Sequence, residues 1–298
     1  MFKKLLLPAL LLALVLCGCA AAPAQPEEAC IAATTYPVWQ FACAVTEGTG
    51  LRVERVITEQ VSCVHDYALS VNQMKVLSRC RAVVLSGLGL EDFMQDVLPD
   101  ADACIDASSG IETLCSEAHE HEHEHDAHGH DHGEIDPHIW LDPDRAAQMV
   151  RNIEHGLSAL YPQYADIFSA NAAAYCAQLE TLKQEGLDAL AQLSCRELVT
   201  FHDGFAYLAD AFGLEIAAAM EVEAGSEPPA RELEEIVHLL RERSIPAVFS
   251  EVSGSGDTAA LVAAETGAGV YTLDMGFGTR SYQDAIRYDL EMIKEALQ

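Results

Sequence analysis

The stretch YADIFSANAAAYCAQLETLKQEGLDALAQL, residues 164–193, contains no proline and offers Ile167, Ala174, Leu179, Leu182, Leu187 and Leu190 for burial. About thirty residues of α-helix reach ~45 Å at a rise of 1.5 Å per residue. A helix of that length, lying between two halves that each alternate strands and helices, reads as a connector between lobes. The helical region runs from Asp144 to about Ser194, with a break near Tyr161-Pro162. Asp142-Pro143 marks its start, with aspartate as N-cap and proline at the first helical position.

Both flanking halves alternate strand-like and helix-like segments. Before the connector, CIAATTY, LRVERVITEQ, RAVVLSGLG and ACIDASSG read as strands, with VWQFACAVTEG and LSVNQMKVLSRC as helices between them. After it, the strands are ELVTFH, LEIAAAMEV, PAVFSEV and GVYTLD. The helices of that half are DGFAYLADAFG, PPARELEEIVHLLRERS, DTAALVAAETG and SYQDAIRYDLEMIKEALQ. Strand–helix alternation implies parallel strands with crossover helices. The expected fold class is therefore α/β, with two parallel-sheet lobes joined by a long linking helix.

The first residues, MFKKLLLPALLLALVLCGC, combine Lys3 and Lys4 with an apolar run that is too short for a spanning helix. This is a secretory signal. Leu16-Cys17-Gly18-Cys19 resembles a bacterial lipobox, with cleavage before Cys19 leaving that cysteine to be acylated. The expected boundaries are a signal at 1–18, a tether at 19–29, a first lobe at 30–143, a helical region at 144–194 and a second lobe at 195–298. The mature chain is expected outside the cytoplasm, anchored to the membrane by lipid, and monomeric.

Half of the residues are hydrophobic, which supports real cores, and the formal net charge is −30. Such a balance cannot neutralise a phosphate backbone, so nucleic acid is a poor partner. It does concentrate cations near the surface. Eight cysteines follow the signal and the lipobox: Cys30, Cys43, Cys63, Cys80, Cys104, Cys115, Cys176 and Cys195. Their even number outside the cell permits disulfides, but no CxxC spacing occurs and their connectivity is not readable from sequence.

Ligands of open α/β sheets bind beyond the carboxyl ends of strands. His65 lies just past a predicted strand, His202 ends ELVTF, Glu251 ends AVFS, Asp274 ends VYTL, and His138 precedes a helix start. Three imidazoles and a carboxylate suit a tetrahedral zinc ion. Any one of these histidines alone would more simply be a hydrogen-bonded residue, as His155 and His238 in predicted helices are. The convergence of several at loop positions in both halves favours a metal site. Asp274 is the expected fourth ligand, with a turn residue before Met275-Gly276 as its plainer alternative; Glu251 is the substitute, or else an N-cap or a group behind the ligands.

A second concentration of histidine lies at 119–134. It holds seven of the chain's twelve histidines: His119, His121, His123, His125, His128, His130 and His132. Without an apolar period, it reads as a solvated loop. Ordering such a loop around an ion costs roughly 1–2 kcal/mol per immobilised residue. It is therefore expected to hold weak, exchangeable sites and to serve as a collector or sensor.

Four segments carry a family resemblance. VHDYALSVNQM, DPHIWLDP, FHDGFAYLADAFGL and VYTLDMGFG resemble, in order, the metal-binding motifs of bacterial zinc solute-binding proteins, the cluster A-I components of ABC importers. The resemblance runs from about Cys30 to Gln298 and places the histidine-rich loop between the first and second motifs. It implies ligands at His65, His138, His202 and Asp274 in an interlobe cleft, zinc as the transported ion, and an ABC permease as partner. Manganese carriers of the family usually have glutamate where this chain has His202, and a nitrogen donor there favours zinc. Two departures stand out: Val64 precedes His65, and Met275-Gly276 follows Asp274 where Pro-Leu-Gly is usual.

The expected function is capture of zinc outside the cytoplasm, without enzymatic activity. A zinc hydrolase would need an open coordination position, and the sequence offers neither HExxH nor a clear general base. A surface adhesin on the same scaffold is the other alternative.

Overall fold

The structure, a computed structural model, describes residues 30–59, 67–114, 135–220, 229–252 and 256–298. In the first lobe β1 (Cys30–Ala33), α1 (Tyr36–Thr46), β2 (Arg52–Arg55), α2 (Val71–Arg79), β3 (Ala82–Leu85) and β4 (Cys104–Asp106) build a parallel sheet of order β2-β1-β3-β4. α3 (Pro143–Leu160) and α4 (Ala165–Ala189) follow. The second lobe contains β5 (Glu197–Thr200), α5 (Ala206–Phe212), β6 (Glu215–Ala219), α6 (Ala230–Arg243), β7 (Ala247–Glu251), α7 (Asp257–Thr266), β8 (Gly269–Leu273) and α8 (Tyr282–Leu297). Its sheet is also parallel, in the order β6-β5-β7-β8. The two sheets thus share one topology, with a switch point between β1 and β3 in the first and between β5 and β7 in the second. The strands are shorter than their sequence runs suggest, because the chain turns into loops at their carboxyl ends.

α3 starts as read: the Asp142 side chain accepts the Asp144 N–H at 2.9 Å and Pro143 opens the helix. α4 spans about 37 Å at 1.5 Å per residue and packs on α1 and α3 of one side and on α5 and α8 of the other. Its buried face corrects the sequence reading. Phe168, Ala172, Leu179, Leu182, Gly186 and Leu190 are inside, whereas Ile167, Ala174 and Leu187 face solvent. The buried set keeps steps that fall on one helical stripe; the other three lie off it. Gly186 marks the tightest approach, since a Cβ there would lie 2.3 Å from Phe212 Cε1 and 2.8 Å from Leu290 Cδ1.

The main apolar core runs without a break from Ile31 and Phe41 through Phe168, Leu179 and Leu182 to Phe212 and Leu290. Smaller clusters cover the outer sheet faces, around Val83 and Leu77 in one lobe and around Val248 and Ile236 in the other. Parallel sheets need both faces covered. Cys30 and Cys80 are joined by a disulfide that ties the start of β1 to the end of α2, while Cys43, Cys104, Cys176 and Cys195 are free. Cys63 and Cys115 lie outside the described residues. Among the described residues no helix is long and apolar enough to cross a membrane.

Candidate metal centre

The switch point of the second sheet places His202 two residues beyond β5, beside Glu251 at the last position of β7. His202 Nδ1 lies 3.2 Å from Glu251 Oε1. His138 comes from the turn before α3, and its Nδ1 lies 2.7 Å from Asp136 Oδ1. The same oxygen accepts the His138 backbone N–H at 2.8 Å. The two imidazoles meet edge to face with centroids 5.5 Å apart. Gly204 is the residue that lets them meet: a Cβ there would stand 2.9 Å from His202 Cδ2, 3.0 Å from His138 Cε1 and 2.6 Å from Met275 Cε. All four side chains of this pairing are buried.

A carboxylate behind each Nδ1 is the arrangement that fixes ring orientation and raises the basicity of a metal-binding histidine. With Nδ1 of His138 bonded to Asp136 and Nδ1 of His202 facing Glu251, Nε2 is the nitrogen through which each ring would coordinate. Glu251 is therefore placed as the partner of His202.

Asp274 is the first residue after β8, at the next strand end of the same sheet. Its Oδ1 accepts the Gly276 N–H at 2.9 Å, and its Oδ2 accepts from Arg280 Nη1 at 2.9 Å. Gly276 has φ +81°, a conformation glycine adopts without penalty, so the unusual Met275-Gly276 pair makes a tight turn around the aspartate. The turn is docked on the His138 segment, because Trp140 Nε1 donates to the Met275 carbonyl at 2.8 Å. From the core side, Asp289 Oδ1 accepts the Asp274 N–H at 2.7 Å. Asp289 has no exposure, and this burial pushes its carboxyl well above the usual carboxylate range.

His65 lies outside the described residues, but both flanks of its segment are defined. Tyr67 Oη donates to Glu59 Oε2 at 2.6 Å, and Gln73 Nε2 donates to Tyr67 Oη at 2.6 Å and to the Val56 carbonyl at 3.0 Å. Among the described residues no three His, Cys, Asp or Glu side chains form a ready metal cage. What is brought together is the His138–His202 pair, its two carboxylates and the nearby Asp274 turn. His119, His121, His123, His125, His128, His130, His132 and Cys19 also fall outside the described residues. Sequence reading gave no role to Asp136, Gly204 or Arg280. The aspartate had a readable signal, since an Asp two residues before a histidine can bond that residue's backbone locally.

Comparison with known proteins places these features. The chain is 31% identical over 271 residues to the zinc-binding lipoprotein AdcA of Streptococcus pneumoniae, covering 90% of this chain and 54% of AdcA. It thus spans about half the length of that relative. A crystal structure of ZnuA superposes with a TM-score of 0.78 at 31% identity, covering 91% of this chain and 99% of the other. A ZnuA deletion mutant with zinc bound gives 0.77 at 30% identity, covering 91% and 98%. Residues 31–296 match the family described as ZnuA, zinc-uptake complex component A, periplasmic. This chain belongs to that family of metal solute-binding proteins.

Proposed function

We propose that this protein captures zinc outside the cytoplasm and delivers it to the permease of an ABC importer. The carrying observation is the pair of buried imidazoles 5.5 Å apart, each with a carboxylate at Nδ1. His65, His138, His202 and Asp274 form the ligand set, supplied by lobes 30–143 and 195–298 across the helical region 144–194. Three neutral nitrogens favour zinc over manganese. The histidine-rich loop at 119–134 collects ions without forming the tight site. Cys19 carries the lipid anchor, and the protein works as a monomer.

No chemical step is involved. Coordination needs neutral imidazoles, so affinity falls as pH drops and protons compete with the ion for the ring nitrogens. Release follows docking on the permease. The test is uptake of radiolabelled zinc at limiting zinc by cells lacking this chain, complemented with wild type or with His138→Ala and His202→Ala. Uptake restored by wild type alone is the expected result. Undiminished uptake in cells lacking the chain would overturn the reading.

A further inference from the structure

The Tyr207 side chain, with no solvent exposure, makes two hydrogen bonds of opposite sense. Its hydroxyl donates to the Asp136 carbonyl at 2.9 Å and accepts the Leu114 N–H at 3.0 Å. Leu114 is the last described residue before 115–134, and Asp136 follows just after that segment. One phenol oxygen thus joins the two flanks of the histidine-rich segment. The tyrosine belongs to α5, five residues after His202, whereas Asp136 holds the His138 ring.

The ring itself is fixed. The Arg145 guanidinium lies 4.9 Å from the Tyr207 ring centroid, in cation–π contact. Arg145 is anchored by Asp142 Oδ2 at 2.7 Å, by Asp210 Oδ2 at 2.8 Å and by the Glu112 carbonyl at 3.0 Å. Asp210 lies on α5 and Asp142 caps α3, so the arginine locks the tyrosine's helix to the turn carrying His138.

We infer that Tyr207 is a positioning residue of the metal site: its hydroxyl sets the Asp136 backbone, and through Asp136 the aim of His138 relative to His202. This rests on the zinc site described above. The path has three links, Tyr207 Oη to Asp136 carbonyl, Asp136 Oδ1 to His138 Nδ1, and His138 Nε2 to the metal. Phenylalanine at 207 keeps the packing and removes the first link. It leaves the buried Asp136 carbonyl without its donor, which costs enough to shift a turn. A neighbouring group that orients a ligand typically controls metal affinity by about ten- to a hundredfold.

The experiment measures zinc affinity by chelator competition, the visible spectrum of the cobalt-loaded protein and the nitrogen chemical shifts of the His138 ring. It uses the full chain as wild type, Tyr207→Phe, Asp136→Asn and the double variant. Tyr207→Phe is expected to weaken zinc binding about tenfold, change the cobalt spectrum and lose the single Nδ1–H tautomer at His138. The double variant should lose less than the product of the single losses, because both changes act on one path. Melting of the metal-free proteins separates these effects from a general loss of stability, which would leave the spectrum and the tautomer unchanged. Wild-type affinity, spectrum and tautomer in Tyr207→Phe would overturn the inference, as would fully multiplicative losses in the double variant. If wild type binds no zinc tightly, or His138→Ala retains tight binding, the site itself fails and the inference with it.

Discussion

The Nδ1 of His138 sits 2.7 Å from Oδ1 of Asp136, two residues earlier in the chain, and both side chains are buried. A ring held this way presents Nε2 in one orientation before any ion arrives. Glu251 takes the corresponding place behind His202 at 3.2 Å. Neutralising either carboxylate removes the charge that orients its ring. Asp136→Asn and Glu251→Gln are each expected to weaken zinc binding by about tenfold or more, as read by chelator competition. Unchanged affinity in both variants would show that the rings are held by packing alone.

Asp274 brings a competition of its own. Arg280 Nη1 holds Oδ2 at 2.9 Å from a guanidinium 3.9 Å from the Tyr288 ring centroid. An ion that uses Oδ2 must share it with that cation or displace it. The arginine is more than a third exposed, so solvent screening limits the pair to about 1 kcal/mol, or roughly fivefold in affinity. Arg280→Gln should therefore tighten zinc binding by up to about fivefold, and Asp274→Asn should weaken it. Weaker binding in Arg280→Gln would instead make the arginine an orienting partner.

Gly186 sets two local effects against each other. Alanine gains up to about 1 kcal/mol of helix propensity over glycine. Its Cβ, however, would press on Phe212 and Leu290 at 2.3 and 2.8 Å, and overpacking of this kind costs about 1–3 kcal/mol. Packing wins, so Gly186→Ala should lower stability in urea unfolding of the metal-free protein. An increase would mean that α4 and α5 move apart freely.

Glu91 spans the switch point of the first sheet. It accepts from the Thr34 hydroxyl at 2.6 Å and from the Ser86 and Gly87 N–H groups at 2.7 and 3.0 Å. Burial outweighs these bonds and pushes its carboxyl above the usual range. The folded state therefore holds the proton at a pH where the unfolded chain has released it. The resulting stabilisation is complete below about 4.3, the ordinary glutamate value, and is lost as pH rises through the folded-state value. The stability of wild type relative to Glu91→Gln should thus increase as pH is lowered towards that range. A flat difference would contradict the assignment.

Local signals in the sequence carried much of this architecture. Asp142-Pro143 is a helix start because capping and proline preference act within three residues, and Gly213 ends α5 in the left-handed conformation that glycine adopts without penalty. His202, Glu251 and Asp274 were legible as strand-end residues because parallel strands present their carboxyl ends together. What sequence could not supply depends on distant partners. The inward face of α4 was misread because Gly186 has no apolar side chain to announce that Phe212 and Leu290 converge on it. Arg280 and Tyr207 were silent for the same reason: their roles come from pairings with Asp274, Leu114 and Asp136 that only the folded chain creates.

Competitive titration of zinc and manganese against a chelator, using mature protein with and without residues 119–132, distinguishes a site built on His138 and His202 from one built on the histidine-rich run. One tight zinc site is expected, surviving loop removal and disappearing in His138→Ala and in His202→Ala, with weak manganese binding throughout. Tight binding that vanished with the loop, or persisted after both histidine substitutions, would contradict it.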